Sequence, residues 1–534
     1  MKKFSWVIFL ITFQLQAQAP QFDWAKKING SGQEEGTAIT TDFVGNLYIS
    51  GYYKYSMNFD NITLNSPNHN DIFFAKMDVD GNVIWATPGS GDVSGYSHAQ
   101  RIKVDSQGNV YVMGHFGHSF TFGDTVLNAD GDLDVFIVKL DNFGNFIWAR
   151  QMGGIGYDDG MDLLINDADE LFLIGFFPNT IELDEVELES EGDRDVFIIK
   201  MDSDGNAVWG ASAGGTGKDT GRGIVTDPSG NIFICGSFEN EAHFGNHTIT
   251  GTESSNLFIA KMNNEGDFLW AKTVTDTATH SLTGFGIDNN QNLYLSGTFD
   301  GGYPFGKIEN VDGAGSDAFL SKYDSQGNIQ WTVYGGGNMN DYGRASFTTK
   351  NGDTYLIGIF MGTAYFGDFS ITSTSDWDGF ITKIDKSGNF LWVKHIKGTG
   401  SEALEDLVLD YDGNVYAIGW FWYSAVFDDI TLTGDYDVFV TKLNSDGMDT
   451  VEMIENVYRL YPNPVNETLF IDIDGSQKLS EVIIRDLSGK KIKTISVKDK
   501  KRIEVNFNAL NKGVYLVEIT EANGNRTVQK VIKN

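Results

Sequence analysis

The sequence predicts an all-β chain built from repeated sheets, and two regularities support that prediction. The first is a series of tryptophans separated by 61 or 63 residues, and its members are Trp24, Trp85, Trp148, Trp209, Trp270, Trp331 and Trp392. The second is a set of strand-like segments that recur with the same period. A fixed period of this length indicates a repeat architecture.

Each repeat contains segments with the residue pattern of β-strands. GNVYVMGHF from Gly108 and DVFIVKLD from Asp134 are examples, rich in apolar, β-branched and aromatic residues. Turns such as DSQGN at Asp105–Asn109 separate them, with an Asp that can bond the backbone and a Gly that accepts positive φ. Four strands per repeat, with no helical periodicity, predict one antiparallel sheet each. Seven such sheets arranged radially predict a seven-bladed β-propeller.

The two ends of the repeat array complete each other. The seventh unit stops near Gly447 without its Trp strand, whereas the Trp strand Phe22–Ile28 stands at the N-terminus without a preceding unit. We therefore expect the N-terminal strand to supply the outermost strand of the last blade, and we place the propeller at residues 20–447.

The N-terminus has the pattern of a secretory signal peptide. Lys2 and Lys3 precede an apolar run, Trp6–Phe13, that is too short to span a membrane. Small residues follow, and we expect cleavage after Ala17, so that the signal peptide is residues 1–17. No other segment is apolar enough to span a bilayer, so we expect no transmembrane segment in the mature chain.

The charge distribution indicates a domain boundary. Residues 458–534 contain 14 Lys and Arg against 9 Asp and Glu, whereas residues 1–457 contain 25 against 64. We place a linker at 448–457 and a second domain at 458–534. The acidic propeller argues against nucleic acid or anionic lipid as partners, which require a positive surface. It suits cations, glycans or basic ligands.

The second domain has its own set of motifs. YPNP at Tyr461–Pro464, DLSGK from Asp486, ALNKGVY from Ala509 and KVIK from Lys530 follow one another along alternating strands, which predict a small Ig-like β-sandwich. This order resembles the C-terminal sorting domain, type A, of type IX secretion cargo in Bacteroidota. The resemblance implies that residues 458–534 engage the type IX secretion machinery. It also implies a secreted or surface location on a Gram-negative bacterium.

The blades resemble β-propeller repeats of the SBBP type over about residues 22–447. That resemblance supports the architecture and says almost nothing about activity, because one fold hosts many functions.

A repeated acidic position gives the best candidate for a site. Counting back 11 residues from each Gly-Asn landmark gives Glu34, Ser97, Asp158, Asp219, His280, Asp341 and Glu402. Five of these seven are acidic, and they lie in Gly-rich loops that lead into the innermost strands. We expect Glu34, Asp158, Asp219, Asp341 and Glu402 to converge at the mouth of the central channel and to bind a ligand. The alternative is that they cap N–H groups of tight loops.

Calcium is the candidate cofactor, because packed carboxylates favour a bound cation. The DxDG turns at Asp78–Gly81 and Asp202–Gly205 also resemble calcium loops, although a calcium loop needs more oxygen ligands than a hairpin turn offers. The identity of any metal stays open at this point.

Two function classes remain. The favoured one is a non-catalytic surface protein that binds or adheres to a glycan or another extracellular ligand. The alternative is an extracellular polysaccharide hydrolase or lyase that uses carboxylates of the channel mouth as acid and base. No arrangement of nucleophile and base appears in the sequence, so it offers no catalytic residue.

Overall fold

The computed structural model describes residues 19–445 and 458–533, apart from 43, 67–70, 92–95, 167–168, 253–254, 275–278, 301–314, 463–464, 474–478, 487–489, 498–501 and 522–525. The predicted signal peptide (1–17) and the predicted linker (448–457) lie outside these residues. Every regular element of the described residues is a β-strand, and the all-β prediction is confirmed.

The strands of the N-terminal part follow in chain order. Those up to residue 201 are β1 Phe22–Gly30, β2 Glu35–Thr41, β3 Leu47–Tyr53, β4 Ser56–Phe59, β5 Ile62–Asn65, β6 Asp71–Met77, β7 Val83–Gly91, β8 Ser97–Val104, β9 Val110–Phe116, β10 Ser119–Phe122, β11 Thr125–Asn128, β12 Asp134–Leu140, β13 Phe146–Met152, β14 Asp159–Ile165, β15 Leu171–Phe177, β16 Thr180–Leu183, β17 Val186–Glu189 and β18 Asp195–Met201. Those that follow are β19 Ala207–Ala213, β20 Thr220–Thr226, β21 Ile232–Phe238, β22 Glu241–Phe244, β23 His247–Thr250, β24 Asn256–Met262, β25 Phe268–Thr273, β26 Thr279–Ile287, β27 Leu293–Asp300, β28 Ser316–Tyr323, β29 Ile329–Gly337, β30 Asp341–Thr348, β31 Thr354–Phe360, β32 Thr363–Phe366, β33 Phe369–Thr372, β34 Asp378–Ile384, β35 Phe390–Gly398, β36 Glu402–Leu409, β37 Val415–Phe421, β38 Ser424–Phe427, β39 Ile430–Thr433 and β40 Asp437–Leu443.

The long strands pair into four-stranded antiparallel sheets, each running from an innermost to an outermost strand. Within the described residues these sheets are blade 1 (β2-β3-β6-β7), blade 2 (β8-β9-β12-β13), blade 3 (β14-β15-β18-β19), blade 4 (β20-β21-β24-β25), blade 5 (β26-β27-β28-β29), blade 6 (β30-β31-β34-β35) and blade 7 (β36-β37-β40-β1). The innermost strand of each blade contacts those of its two neighbours, and β36 contacts β2, so the innermost strands form a ring. This is the arrangement of a propeller.

Blade 7 combines the two ends of the array. Strand β1 pairs antiparallel with β40, with Trp24 opposite Lys442 and Ile28 opposite Val438. The outermost strand of this blade therefore comes from the start of the described chain.

Central strands are buried on both faces, which explains their continuous apolar runs. Every residue of β12, DVFIVKL, is buried, whereas most residues of the outer strand β13 are only partly buried. Short hairpins follow the second strands, and several extend the outer strand of the preceding blade, for example β4 on β1 and β38 on β35.

The periodic tryptophans join consecutive blades. Trp85 Nε1 donates a hydrogen bond of 3.0 Å to the Asn142 carbonyl in a turn of blade 2, and Trp209 Nε1 donates one of 3.0 Å to the Asn264 carbonyl in blade 4. A Cβ on Gly144, which has a φ of 82°, would lie 2.8 Å from the Trp85 ring. The turn glycine therefore serves both the positive φ and the close approach of the indole.

The C-terminal part consists of β41 Tyr458–Tyr461, β42 Thr468–Ile473, β43 Leu479–Asp486, β44 Lys491–Ser496, β45 Arg502–Asn506, β46 Gly513–Glu521 and β47 Arg526–Lys533. They form a three-stranded sheet, β41-β42-β45, and a four-stranded sheet, β44-β43-β46-β47. Leu469 and Val505 of the first sheet share one apolar core with Val482 and Val517 of the second. Among the described residues no helix is long and apolar enough to cross a membrane.

Candidate functional site

The five predicted acids lie where the Gly-rich loops enter the innermost strands, and all five are buried. Four of them accept a hydrogen bond from a backbone N–H of their own loop. The bonds run from Gly32 to Glu34 (2.8 Å), Gly154 to Asp158 (3.1 Å), Gly215 to Asp219 (2.8 Å) and Gly337 to Asp341 (2.7 Å). Both carboxyl oxygens of Glu402 are buried without a hydrogen-bond partner among the described residues. This is the geometry of loop caps, and the ligand-binding role of these residues stays a prediction.

Each predicted acid has a charged neighbour on the preceding blade, an aspartate at the start of the third strand. We call these seam pairs, and they are Asp437–Glu34, Asp134–Asp158, Asp195–Asp219, Asp317–Asp341 and Asp378–Glu402. A Cβ on Gly214 would lie 2.5 Å from Asp195 Cγ and 2.9 Å from Asp219 Oδ2, so two carboxyl groups occupy one small buried volume. The structure thus brings each acid to its seam partner.

Burial disfavours the charged form of these acids and raises their pKa values. The pKa rises to about 7 for Glu34, Asp158 and Asp219, to about 8 for Asp341 and to about 9 for Glu402. The seam aspartate raises each pKa further, while the loop N–H lowers it. At neutral pH, Asp341 and Glu402 are therefore mostly protonated, and Glu34, Asp158 and Asp219 are partly protonated.

The DxDG turns use their carboxylates locally. Asp78 Oδ1 accepts bonds from the Asp80 N–H (3.0 Å) and the Asn82 N–H (2.8 Å), as an Asx turn does. The described residues hold no group of three or more His, Cys, Asp or Glu side chains that could bind a metal ion.

A continuous row of rings lies beside the seam pairs, at the same ends of the strands. We call it the rim row, and its members are Trp420, Tyr436, Tyr52, His98, His115, Tyr157 and Phe176. Within blade 7, Trp420 stacks on Tyr436 with ring centroids 4.9 Å apart. Tyr436 Oη donates a 2.6 Å hydrogen bond to Glu35 Oε1, and Tyr52 also bonds to Glu35. Glu35 therefore links the rings of blades 7 and 1.

The row continues across blades 1 to 3. Tyr52 packs on His98 at 5.8 Å, and His98 stacks on His115 at 5.8 Å. His115 packs on Tyr157 at 5.9 Å, and Tyr157 stacks on Phe176 at 5.6 Å. Burial lowers the pKa of His98 to about 4, so this ring is neutral at physiological pH.

His115 is held by a carboxylate. Its Nδ1 lies 2.7 Å from Asp159 Oδ1, so Nδ1 carries the donated proton, and Tyr157 Oη donates to Asp159 Oδ2 at 3.3 Å. The Nε2 atom of His115 is buried without a hydrogen-bond partner in the described structure. Tyr96, which is exposed, stacks on the same imidazole at 5.5 Å.

Charged side chains of the innermost strands pair between blades close to the rim row. Arg101 Nε lies 3.2 Å from Asp162 Oδ1, and Arg344 Nη1 lies 3.8 Å from Glu405 Oε2. Trp420 Nε1 donates a 3.1 Å hydrogen bond to Glu405 Oε1. Burial raises the pKa of Glu405, Arg344 lowers it, and Glu35 raises it. Glu35 and Glu405 are therefore electrostatic neighbours.

The rim row was not predicted from the sequence, because the candidate site was sought among residues that recur in the repeats. Four members of the rim row follow the glycine of the second-strand landmark, and across the blades this position holds Tyr52, His115, Phe176, Ser237, Thr298, Ile359 and Trp420. The residues on either side of it repeat, whereas this one changes from blade to blade. Such variation inside a repeat was the available signal.

Two family models match parts of the chain. Residues 459–534 match the secretion system C-terminal sorting domain, and residues 208–237 match the beta-propeller repeat. The prediction of a propeller with a type IX sorting domain is confirmed. The protein is a β-propeller secreted by the type IX system to the cell surface.

Similar proteins add little about activity. The chain is 20% identical to an uncharacterized WD repeat-containing protein of Acanthamoeba polyphaga mimivirus over 74% of its length, and 25% identical to the regulatory protein FlaEY of Caulobacter vibrioides over 61%. It covers 36% of the length of each of these relatives. A solved extracellular domain from B. thetaiotaomicron, assigned to a hybrid two-component system, has 12% identity and a TM-score of 0.38. That alignment covers 96% of this chain and 60% of the other.

Proposed function

We propose that the propeller is a non-catalytic binding protein of the cell surface and that its ligand, a glycan or another extracellular molecule, binds along the rim row. One observation carries the proposal: exposed rings stand directly against this row. Trp422 contacts Tyr436 at 6.1 Å, and Tyr96 and Tyr157 contact His115. All three are among the exposed large side chains of the protein. Clustered exposed aromatic rings mark a binding surface.

The polar groups of the row suit a ligand rich in hydroxyl groups. Glu35 is only partly buried, and its carboxylate accepts a hydrogen bond from Tyr436. A carboxylate has about four acceptor sites, so Glu35 keeps capacity for ligand hydroxyls. Rings with a few fixed polar groups are typical of small-molecule and glycan sites.

The burial of the five predicted acids also supports binding over catalysis. A carboxylic acid that caps its own loop, away from solvent, does not reach a substrate. The capping alternative fits the loop hydrogen bonds better than the channel-mouth site does.

The test is a glycan array probed with the secreted mature chain, with reducing-end release measured on the same glycans. We expect retention without turnover. The substitution Trp422→Ala should reduce retention about tenfold, a typical loss for one aromatic contact. Turnover by the wild-type chain would contradict a purely binding role.

A polysaccharide hydrolase or lyase is the second candidate, because Glu405 and Glu35 are coupled and the pKa of Glu405 is raised. A desolvated acid beside a second carboxyl group is the pairing that glycoside hydrolysis uses. Glu405→Gln and Glu35→Gln should then each abolish any measured turnover, whereas unchanged turnover would remove this candidate.

A further inference from the structure

The turn after the second strand has the same backbone in six blades. One residue there has a φ between 61° and 66°, and its carbonyl accepts an N–H from the end of the following hairpin. These residues are Tyr55, His118, Asn179, Asn240, Gly362 and Tyr423. The corresponding segment of blade 5 lies within residues 301–314, outside the described residues.

The residues at this position differ in how easily they adopt a positive φ. Glycine and asparagine adopt the left-handed region readily, whereas a bulky residue there is strained. Blades 3, 4 and 6 use Asn179, Asn240 and Gly362. Blade 7 uses Tyr423 and blade 1 uses Tyr55, and these side chains are 54% and 53% exposed. Both rings are therefore more than half exposed on a backbone conformation that disfavours them, and backbone strain of this kind is found at functional sites.

The two tyrosines belong to neighbouring blades, and each comes three residues after a member of the rim row, Tyr52 or Trp420. Tyr423 stacks on Trp422 with ring centroids 5.5 Å apart and planes 17° apart, and both rings remain about half exposed, so the stacked pair presents an aromatic face to solvent. Trp422 in turn contacts Tyr436 of the rim row. The innermost strand of blade 7, β36, contacts β2 of blade 1, the blade that carries Tyr55.

We propose that the ligand is an extended, uncharged oligosaccharide that lies across blades 7 and 1. One sugar ring packs on the surface formed by Trp422 and Tyr423, and a second packs against Tyr55. The proposal rests on the proposed function and names the class of ligand. The apolar C–H face of a sugar ring matches a flat aromatic surface, and two surfaces on adjacent blades require a chain longer than one sugar.

The acidic surface of the propeller favours an uncharged oligosaccharide as the ligand. Glu35 lies between the two blades, hydrogen-bonded to Tyr436 and Tyr52. Residues 1–457 contain 64 Asp and Glu against 25 Lys and Arg. An anionic polysaccharide would meet repulsion on this surface, whereas sugar hydroxyls can donate hydrogen bonds to Glu35.

The decisive variants are Tyr423→Asn and Tyr55→Asn, because asparagine is already the residue of blades 3 and 4. Each substitution relieves strain, so we expect Tm to stay unchanged or to rise by about 1 °C. Each also removes a ring, so we expect the affinity for neutral hexasaccharides and octasaccharides to fall about tenfold. Stability and affinity should move in opposite directions, which damage to the fold cannot produce.

Binding is measured by calorimetry with the secreted mature chain. The probes are neutral oligosaccharides from disaccharides to octasaccharides, chosen from the best binders of the array, and alginate oligosaccharides of the same lengths. Tyr55→Asn should weaken the long neutral chains and leave disaccharides unaffected. Alginate should not bind.

Tyr411→Asn is the matched control, since Tyr411 is an exposed tyrosine beyond the far end of β36, roughly 25 Å from Glu402 at about 3.3 Å per residue. It should leave affinity unchanged. Full affinity of both tyrosine variants, together with lost binding in Trp422→Ala, would overturn this inference and leave the proposed function standing. Tighter binding of alginate would also overturn it. Failure of every oligosaccharide to bind would overturn the inference and the glycan form of the proposed function.

Discussion

Two neighbouring positions at the start of the innermost strands have side chains with different partners. Asp158 belongs to a seam pair, and the next residue, Asp159, holds His115 of the rim row. Glu34 and Glu35 show the same division. Successive residues of a strand point to opposite sides, so one position enters the seam between blades and the next reaches the rim row. The seam position repeats around the ring, whereas the rim position varies.

This contrast separates structure from recognition. Neighbouring blades meet in similar ways, so five of the seven junctions reuse one solution, a buried loop acid paired with an aspartate of the preceding blade. A ligand meets only some blades and has no sevenfold symmetry, so the residues that contact it must differ. Repetition therefore marks the scaffold of this protein, and variation inside the repeat marks the candidate site.

The largest loss of stability should come from removing the carboxyl group of a seam pair. Asp341→Ala leaves the Gly337 N–H and the Met361 N–H without their carboxyl acceptor. Such a loss in a buried place should lower the free energy of unfolding by about 2–4 kcal/mol. Asp341→Asn keeps the volume and an acceptor oxygen, so it should stay within about 1 kcal/mol of wild type. Urea unfolding measures both, and an equal loss in the two variants would contradict the capping role.

The pH dependence should be the next largest effect. The seam acids have raised pKa values of about 7 to about 9 in the folded state, against 3.8 or 4.5 for the ordinary groups. The folded state therefore binds more protons than the unfolded state in this window. The stability that these groups contribute is fully present below their ordinary pKa values of 3.8 to 4.5 and is lost as the pH rises through 7 to 9.

Thermal unfolding across that range tests the sign. The double variant Asp158→Asn with Asp219→Asn should show a flatter fall in Tm, because two of the titrating groups are gone. Asp80→Asn removes an exposed turn carboxylate and serves as the charge control. A wild-type Tm that rises with pH would contradict proton sharing in the seams.

A smaller effect should follow at the periodic tryptophans. Trp209→Phe keeps an aromatic ring and loses the Nε1 hydrogen bond to the Asn264 carbonyl of the next blade. The expected loss is about 1 kcal/mol of unfolding free energy, with unchanged affinity for any glycan that the wild type retains. Altered affinity at full stability would mean that the repeated tryptophans also contribute to binding.

Much of the fold could be predicted because each sequence repeat corresponds to one blade. The spacing of the tryptophans gave the period, and the continuous apolar segments such as Asp134–Leu140 gave the central strands, which are buried on both faces. The turn aspartates behave as their sequence pattern predicts. These features depend on local geometry and on burial, which a single sequence expresses well.

The candidate site was harder to predict for a physical reason. Its contacts join residues from different blades, such as Tyr436 with Glu35, which are 401 positions apart in the chain. Periodicity finds only what the blades share. The prediction therefore favoured the repeated acids, whereas the rings beside them became visible only once the strands were assembled.

The smallest effect should be that of calcium, and it decides between the two interpretations of the repeated acids. A calcium ion takes six to eight oxygen ligands, whereas Asp158 and Asp219 each face one seam aspartate and accept hydrogen bonds from backbone N–H groups. We expect millimolar Ca²⁺ to leave Tm unchanged in the wild type and in the Asp158→Asn, Asp219→Asn double variant. A ligand bound only by the folded state would raise Tm by mass action. If Ca²⁺ raises the Tm of the wild type and the double variant abolishes that rise, these acids bind a cation. The seam pairs would then have a binding role in addition to their structural one.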